Sequence, residues 1–279
     1  MKGQRLKKPS RWLNPAGGYL TGYSHTLNPY SGCAFSCSYC YVRRMPIALF
    51  REEEWGEWVD IKTFDRNSFV KEWSRALSKG RVTIFMSSST DPYQPLEAEF
   101  GVTRAILDVM AEEPPAFVML QTRSPLVLRD RDLVKRLGSR IRVSMTLETD
   151  REDIRKALTP KAPPLAARWR AIQELQAEGI AVQAAVSPLL PHTDRFAERL
   201  AGAVPLAVVD DFFRGDGSKG RRTQQLGMAS VYEAIGVQEA YTPQYADRFF
   251  AELSERMPPG TVKQGQEGFL PPQPDFKHL

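Results

Sequence analysis

The residues with the most distinctive chemistry are three cysteines, Cys33, Cys37 and Cys40, all within the stretch CAFSCSYC. An odd number of closely spaced thiols does not make a disulfide framework. Structural zinc asks for four ligands and normally a second ligand pair elsewhere. The remaining candidates are thin, since the chain has no further cysteine and only His25, His192 and His278. Inert or redox-active thiols are a further reading. An iron–sulfur cluster fits better, because thiolates are its usual ligands. Three thiolates on a four-iron cluster leave one iron without a protein ligand. An electron-carrying ferredoxin avoids that vacancy, whereas a cluster that must bind a cofactor or substrate needs it.

The elements that must hold such a cluster are legible as short apolar, β-branched runs alternating with longer helical patterns. Strands are expected at Tyr23–Leu27, Val82–Met86, Ala116–Leu120, Ile141–Leu147, Ile180–Val186 and Leu206–Val209. These runs hardly alternate, as expected of parallel strands covered on both faces. Helices are expected near Tyr39–Phe50, Asn67–Ser78, Thr103–Glu112, Asp130–Leu137, Leu165–Glu178 and Asp194–Ala203, with Asp130 and Asp194 as N-caps and Gly138 and Gly179 as C-terminal glycines. Right-handed crossovers then produce an α/β fold with a parallel sheet, open or curled into an incomplete barrel. Both place chemistry at the C-terminal ends of strands. The polar clusters Asn28–Ser31, Ser87–Asp91, Gln121–Ser124, Thr146–Glu148 and Ser187–Pro191 fall there. Past residue 210 the texture changes, to a Gly-rich loop at Gly215–Gly220, helices near Gln224–Ile235 and Pro243–Arg256, and a Pro-rich tail expected to be poorly ordered.

CxxxCxxC after a first strand, with Tyr39 before the last cysteine, resembles the radical S-adenosylmethionine (SAM) superfamily. NPYSGCAFSCSYCYVRRMP (Asn28–Pro46) is similar to its spore photoproduct lyase-like, DNA repair photolyase-related subgroup. So are SSSTDPYQPLE (Ser87–Glu97), QTRSPLVLRDRDLV (Gln121–Val134), VSMTLET (Val143–Thr149) and AVSPLLP (Ala185–Pro191). The resemblance implies a partial (β/α)6 TIM-like barrel with a short C-terminal helical extension. It implies a [4Fe–4S] cluster on Cys33, Cys37 and Cys40 whose open iron chelates SAM, and reductive cleavage of SAM to a 5′-deoxyadenosyl radical. It implies that Tyr39 lies against the adenine and that Ser89, Thr90 and Asp91 contact polar groups of SAM. Thr122, Arg123, Ser124 and Ser144 are expected to line the SAM pocket, and Glu148 to meet its ribose or amino group. An electron donor such as flavodoxin or ferredoxin goes with this chemistry, and lyase or repair chemistry on nucleic acid goes with the subgroup. Two departures stand out. Spore photoproduct lyase uses a further cysteine as hydrogen donor where this chain has Ser87, Ser88 and Ser89, so Tyr93, another tyrosine or recycled 5′-deoxyadenosine would have to serve. In LTPKAP (Leu158–Pro163), Thr159 stands where relatives usually carry an acidic residue.

The 279 residues carry 38 Lys+Arg against 33 Asp+Glu, a net charge of +5. That mildly favours a polyanionic partner without demanding one. The basic residues gather at Lys2–Arg11 and Lys219–Arg222, where solvated segments are an equal reading. No apolar run is long enough to span a bilayer, and the basic N-terminus lacks the apolar stretch of a secretory signal, so a cytoplasmic protein is expected. The expected organisation is a basic tail over 1–22, the barrel over 23–210 and an extension over 211–279. GDGSKG has the form GxGxxG, but it comes late and opens no clear βαβ unit. Trp55 and Trp58 read either as base-stacking residues or as a small satellite core. The competing function is a non-catalytic zinc- or metal-binding protein that interacts with nucleic acid.

Overall fold

A computed structural model describes residues 3–214 and 218–273. Lys2, the Gly215–Gly217 part of the glycine-rich motif, and His278 lie outside the described residues. The strands are β1 (Gly3–Lys7), β2 (Leu13–Pro15), β3 (His25–Leu27), β4 (Tyr30–Ser31), β5 (Trp58–Lys62), β6 (Thr83–Met86), β7 (Phe117–Thr122), β8 (Ile141–Thr146), β9 (Val182–Val186), β10 (Ala207–Val209) and β11 (Val262–Gln264). The main sheet runs β11-β10-β9-β8-β7-β6-β3-β2, with β2 alone antiparallel. The six expected strands, β3 and β6 to β10, therefore lie side by side in chain order. That is the (β/α)6 partial barrel, open between β2 and β11.

Strand periodicity sorts the side chains onto two faces. Outward residues such as Ile84, Met86, Val118, Leu120, Val143, Met145 and Val182 join the main core beneath the helices. Inward residues Phe85, Phe117, Met119, Ala185 and Val208 form a separate cluster in the lumen, closed by Tyr23 and Phe269. Above that cluster the lumen turns polar. Gln121 Nε2 donates to Thr146 Oγ1 at 2.8 Å, and Gln183 Nε2 to Ser144 Oγ at 3.0 Å.

The crossover helices largely fall where periodicity puts them. Arg66–Leu77 buries Phe69 and Trp73 and is capped by Asp65, whose carboxylate accepts from Ser68 N at 2.8 Å. Leu165–Ala177 ends ahead of Gly179, whose φ of +76° suits a glycine after a helix. Three expectations fail locally. The continuous helix over Tyr39–Phe50 is instead a 3₁₀ turn, Tyr41–Arg44, and one α turn, Pro46–Leu49. Pro46 holds Met45 in extended backbone (ψ 155°), which a continuous helix forbids. Asp130 does not cap its helix, because its carboxylate accepts from Arg104 and Arg129 at 3.0 and 2.7 Å. Asp194 does not cap either: that helix starts at Phe196, behind Arg195.

Both ends of the described chain carry more structure than expected. Gly3–Lys7 is no solvated tail but a strand of a second sheet, β1-β5-β4. Two of its basic residues are paired, Arg5 with Glu53 and Lys7 with Asp60, each at 2.7 Å. The helix expected over Gln224–Ile235 is split into Arg221–Gln224 and Met228–Ala234 at Gly227 (φ +66°), whereas Pro243–Arg256 forms as expected. Ahead of the Pro-rich tail β11 adds to β10, and the start of the tail itself is placed, with Phe269 plugging the lumen where its carbonyl accepts from Tyr23 Oη at 2.6 Å. Residues 274–279 lie outside the described residues.

Candidate radical SAM site

The cysteine loop leaves β4 through Gly32, at φ +86°. A Cβ there would stand 2.5 Å from the Trp58 carbonyl oxygen, so only glycine fits. The loop is then tied down from several elements. Arg43 donates to the Cys37 and Ser36 carbonyls, both at 3.0 Å. Ala34 N donates to Gln94 Oε1 at 2.9 Å, Ser38 N to the Leu158 carbonyl at 2.9 Å, and Thr90 Oγ1 to the Gly32 carbonyl. Trp55 and Trp58 pack edge to face beneath it, at 5.7 Å, as a satellite core with Val42. At 1% exposure Trp58 offers no stacking platform to a base, whereas Trp55, at 6%, reaches the lining of the cavity above.

All three cysteines line one cavity of about 560 Å³ at the C-terminal ends of the barrel strands. They are free thiols; Cys37 is buried and the other two are half-buried. Burial pushes the Cys40 thiol up to about 11 and raises Cys33 and Cys37 as well, with the Arg123 guanidinium opposing the rise at Cys37. Three such thiolates would be stable only on a cation. Among the described residues no three His, Cys, Asp or Glu side chains converge to hold a single metal ion. Thiols gathered around one cavity are the donor set that an iron–sulfur cluster takes.

Beside the cysteines runs a buried chain of charges. Arg123 Nη1 lies 3.0 Å from Cys37 Sγ, 3.3 Å from Tyr39 Oη and 2.7 Å from Glu148 Oε1. Glu148 also accepts from Tyr39 Oη at 2.5 Å and from Arg168 Nη1 at 2.7 Å. Burial works to raise the Glu148 carboxyl, but Arg123 and Arg168 outweigh it and hold the group down at about 2. Asp91 organises the same wall from the end of β6. It accepts from Thr122 Oγ1 at 2.7 Å, Arg123 N at 2.9 Å and Tyr93 N at 2.9 Å, so its hydrogen-bonding capacity is largely spent on protein.

The structure gathers Ser89, Thr90, Asp91, Thr122 and Arg123 on the cavity with the cysteines. The other expected cofactor residues stand outside its lining. Tyr39 and Glu148 hold Arg123; Ser124 caps the 3₁₀ turn at Pro125, accepting from Leu126 N at 3.3 Å; Ser144 sits in the lumen under Gln183. Tyr93 is 1% exposed, near Asp130 and away from the cavity, so it is not in position to hand hydrogen to a substrate there. Sequence reasoning missed Arg168, which looks like a surface arginine in AARWRA but is wholly buried. It also missed Tyr19, Tyr41 and Asp210, all on the cavity. For Asp210 the signal was available, since it ends a strand like the polar clusters that were recognised.

A family model described as the radical SAM superfamily matches residues 27–201. An uncharacterized protein of Methanocaldococcus jannaschii is 34% identical over 67% of this chain and 66% of its own length. One from Acidianus two-tailed virus is 28% identical over 67% of this chain and 64% of its own. The chain thus spans slightly less than two thirds of the length of these relatives. Among solved structures, spore photoproduct lyase complexed with dinucleoside spore photoproduct shares the fold, with a TM-score of 0.67 at 10% identity over 94% of this chain and 81% of that one. A mutant of that enzyme with bound AdoMet and the dinucleoside gives 0.62 at 10% identity over the same shares. Radical SAM proteins carry a [4Fe–4S] cluster and SAM, and three thiols on one cavity beside a half-buried arginine fit that pair. On the match over 27–201, the chain belongs to the radical SAM superfamily.

Proposed function

We propose that the protein cleaves SAM reductively at a [4Fe–4S] cluster on Cys33, Cys37 and Cys40, and directs the radical to hydrogen on a nucleic-acid substrate. The observation that carries this reading is the single cavity shared by all three cysteines, Arg123 and the Ser88–Asp91 segment. When bound, the cluster supplies the electron that breaks the sulfonium C5′–S bond, giving methionine and the 5′-deoxyadenosyl radical. Arg123 sets positive charge against the Cys37 sulfur, and Glu148 with Arg168 keeps that guanidinium from swinging away. Ser89 offers a hydroxyl beside it for the amino-acid end of SAM, while the Thr90 and Thr122 hydroxyls donate to the Gly32 carbonyl and to Asp91. Ser87 to Ser89 cannot replace a donor cysteine, because a serine O–H bond is too strong to yield hydrogen to a carbon radical. A carbon–carbon lyase of the photoproduct lyase-like type would therefore work here without a protein thiyl. An electron donor such as flavodoxin or ferredoxin completes the reaction, and a reducing cytoplasm suits free thiols.

What supports a nucleic-acid substrate is the fold shared with spore photoproduct lyase, the net +5 charge and Arg222 at the cavity. The paired Arg5 and Lys7 contribute less than their number implies. Binding to DNA and RNA oligonucleotides across a salt series tests the substrate class. Phosphate contacts make log K fall linearly with log salt, by roughly 0.9 per neutralised phosphate on duplex DNA. A flat response, or no binding at low salt, would remove nucleic acid and leave the SAM chemistry untouched.

A further inference from the structure

Part of the cavity carries polar groups that belong neither to the cysteine loop nor to the Arg123 network. Asp210, at the end of β10, is 3% exposed. Its Oδ2 accepts from Tyr19 Oη and its Oδ1 from Asp211 N, both at 2.9 Å. The arginine nearest in sequence, Arg214, pairs with Asp211 and Asp247 instead. A buried carboxylate with no cation costs stability, and the strand beneath it does not require one. Ser87 Oγ and Gln121 Oε1 are buried and have no hydrogen-bond partner among the described residues. Gln121 is held by Thr146 at one end of its amide, so whichever way the amide is turned the other end is left over. Ser87 sits at φ +77°, a strained conformation for serine of the kind retained at working sites. Phe85 and Phe269 line the same cavity and give a flat group apolar faces to lie on.

We propose that Asp210, Tyr19, Gln121 and Ser87 form the substrate-anchoring site, which takes the uncharged, N–H-bearing edge of a planar heterocycle and leaves phosphate outside. The inference rests on the nucleic-acid reading above and narrows it to a nucleobase that enters edge first. A carboxylate accepts N–H and repels phosphate, while Gln121 and Ser87 can each donate or accept. The sign of charge reverses at Arg222, which lines the same cavity.

The test is calorimetric titration of the protein carrying cluster and SAM with the four deoxynucleosides, their 5′-monophosphates and a short single-stranded oligonucleotide. Wild-type protein should bind at least one nucleoside, and the monophosphate no more weakly. Asp210→Asn should weaken that binding about tenfold, with iron content per chain confirming that the variant has folded. Tyr19→Phe, which leaves the carboxylate in place, should weaken it about threefold and serves if Asp210→Asn does not fold. Equal nucleoside binding by wild type and variants would overturn this site while leaving the nucleic-acid reading intact. Binding of the oligonucleotide but of no nucleoside, or a monophosphate bound far more weakly than its nucleoside, would overturn base-first anchoring alone. No binding of any of these probes would overturn both.

Discussion

Arg123 touches the Cys37 sulfur and a buried carboxylate with the same nitrogen, so its position depends on how firmly Glu148 is held. Glu148 in turn is fixed by Arg168, wholly buried on the helix Leu165–Ala177. Arg168→Ala leaves Glu148 with one arginine instead of two in a dry site. Breaking a buried pair on one side costs about 3–5 kcal/mol, and a shift of the urea midpoint with unchanged slope would register it. Asp210 behaves in the opposite sense. Burial raises its carboxyl from 3.8 to about 6, so the folded protein holds the proton more tightly than the unfolded chain. Below about pH 4 both states are protonated and no stability is lost. As pH rises through 6 the buried group must ionise, and stability falls by about 3 kcal/mol. Asp210→Asn should therefore melt higher than wild type at about pH 8, with the advantage gone near about pH 4. A lower melting temperature for the variant at high pH would show that Asp210 is structural.

The site is assembled from loops at strand ends, and the strands were the readable part. Runs such as Ala207–Val209 are apolar on both faces, and a pattern that simple survives translation into structure. The failures lie where a single residue overrides periodicity. Pro46 stops a helix that the spacing of Tyr39–Phe50 allows, and Asp130 serves Arg104 and Arg129 in place of its own helix. β1 and β11 were missed because each is an edge strand, set by its neighbour more than by its own composition. That the three cysteines share one cavity was legible because their close spacing in sequence already holds them on one loop. Arg168 was not, because nothing in a helical arginine announces the carboxylate that will meet it. At this scale the sharpest test is Gly32→Ala, which sets a Cβ 2.5 Å from the Trp58 carbonyl oxygen in a backbone conformation that side chains resist. The loop must move, and the variant should retain much less iron per chain than wild type after identical reconstitution. Equal iron would mean that the loop tolerates the shift.

Over the whole molecule, an open parallel barrel, a cavity at its C-terminal mouth and a mildly basic surface belong together. The sheet carries Cys33–Cys40, Arg123, Asp91 and Asp210 to one cavity from positions almost 180 residues apart in sequence. Among the described residues no helix is long and apolar enough to cross a membrane. The most direct measurement of the central claim is anaerobic: protein reconstituted with iron and sulfide, reduced with dithionite and incubated with SAM. Methionine and 5′-deoxyadenosine should appear together in equal amounts, and Cys33→Ala, Cys37→Ala or Cys40→Ala should each abolish both products and the visible cluster absorbance. Methyl transfer or simple hydrolysis of SAM, or full iron and full cleavage in any one of those variants, would contradict it.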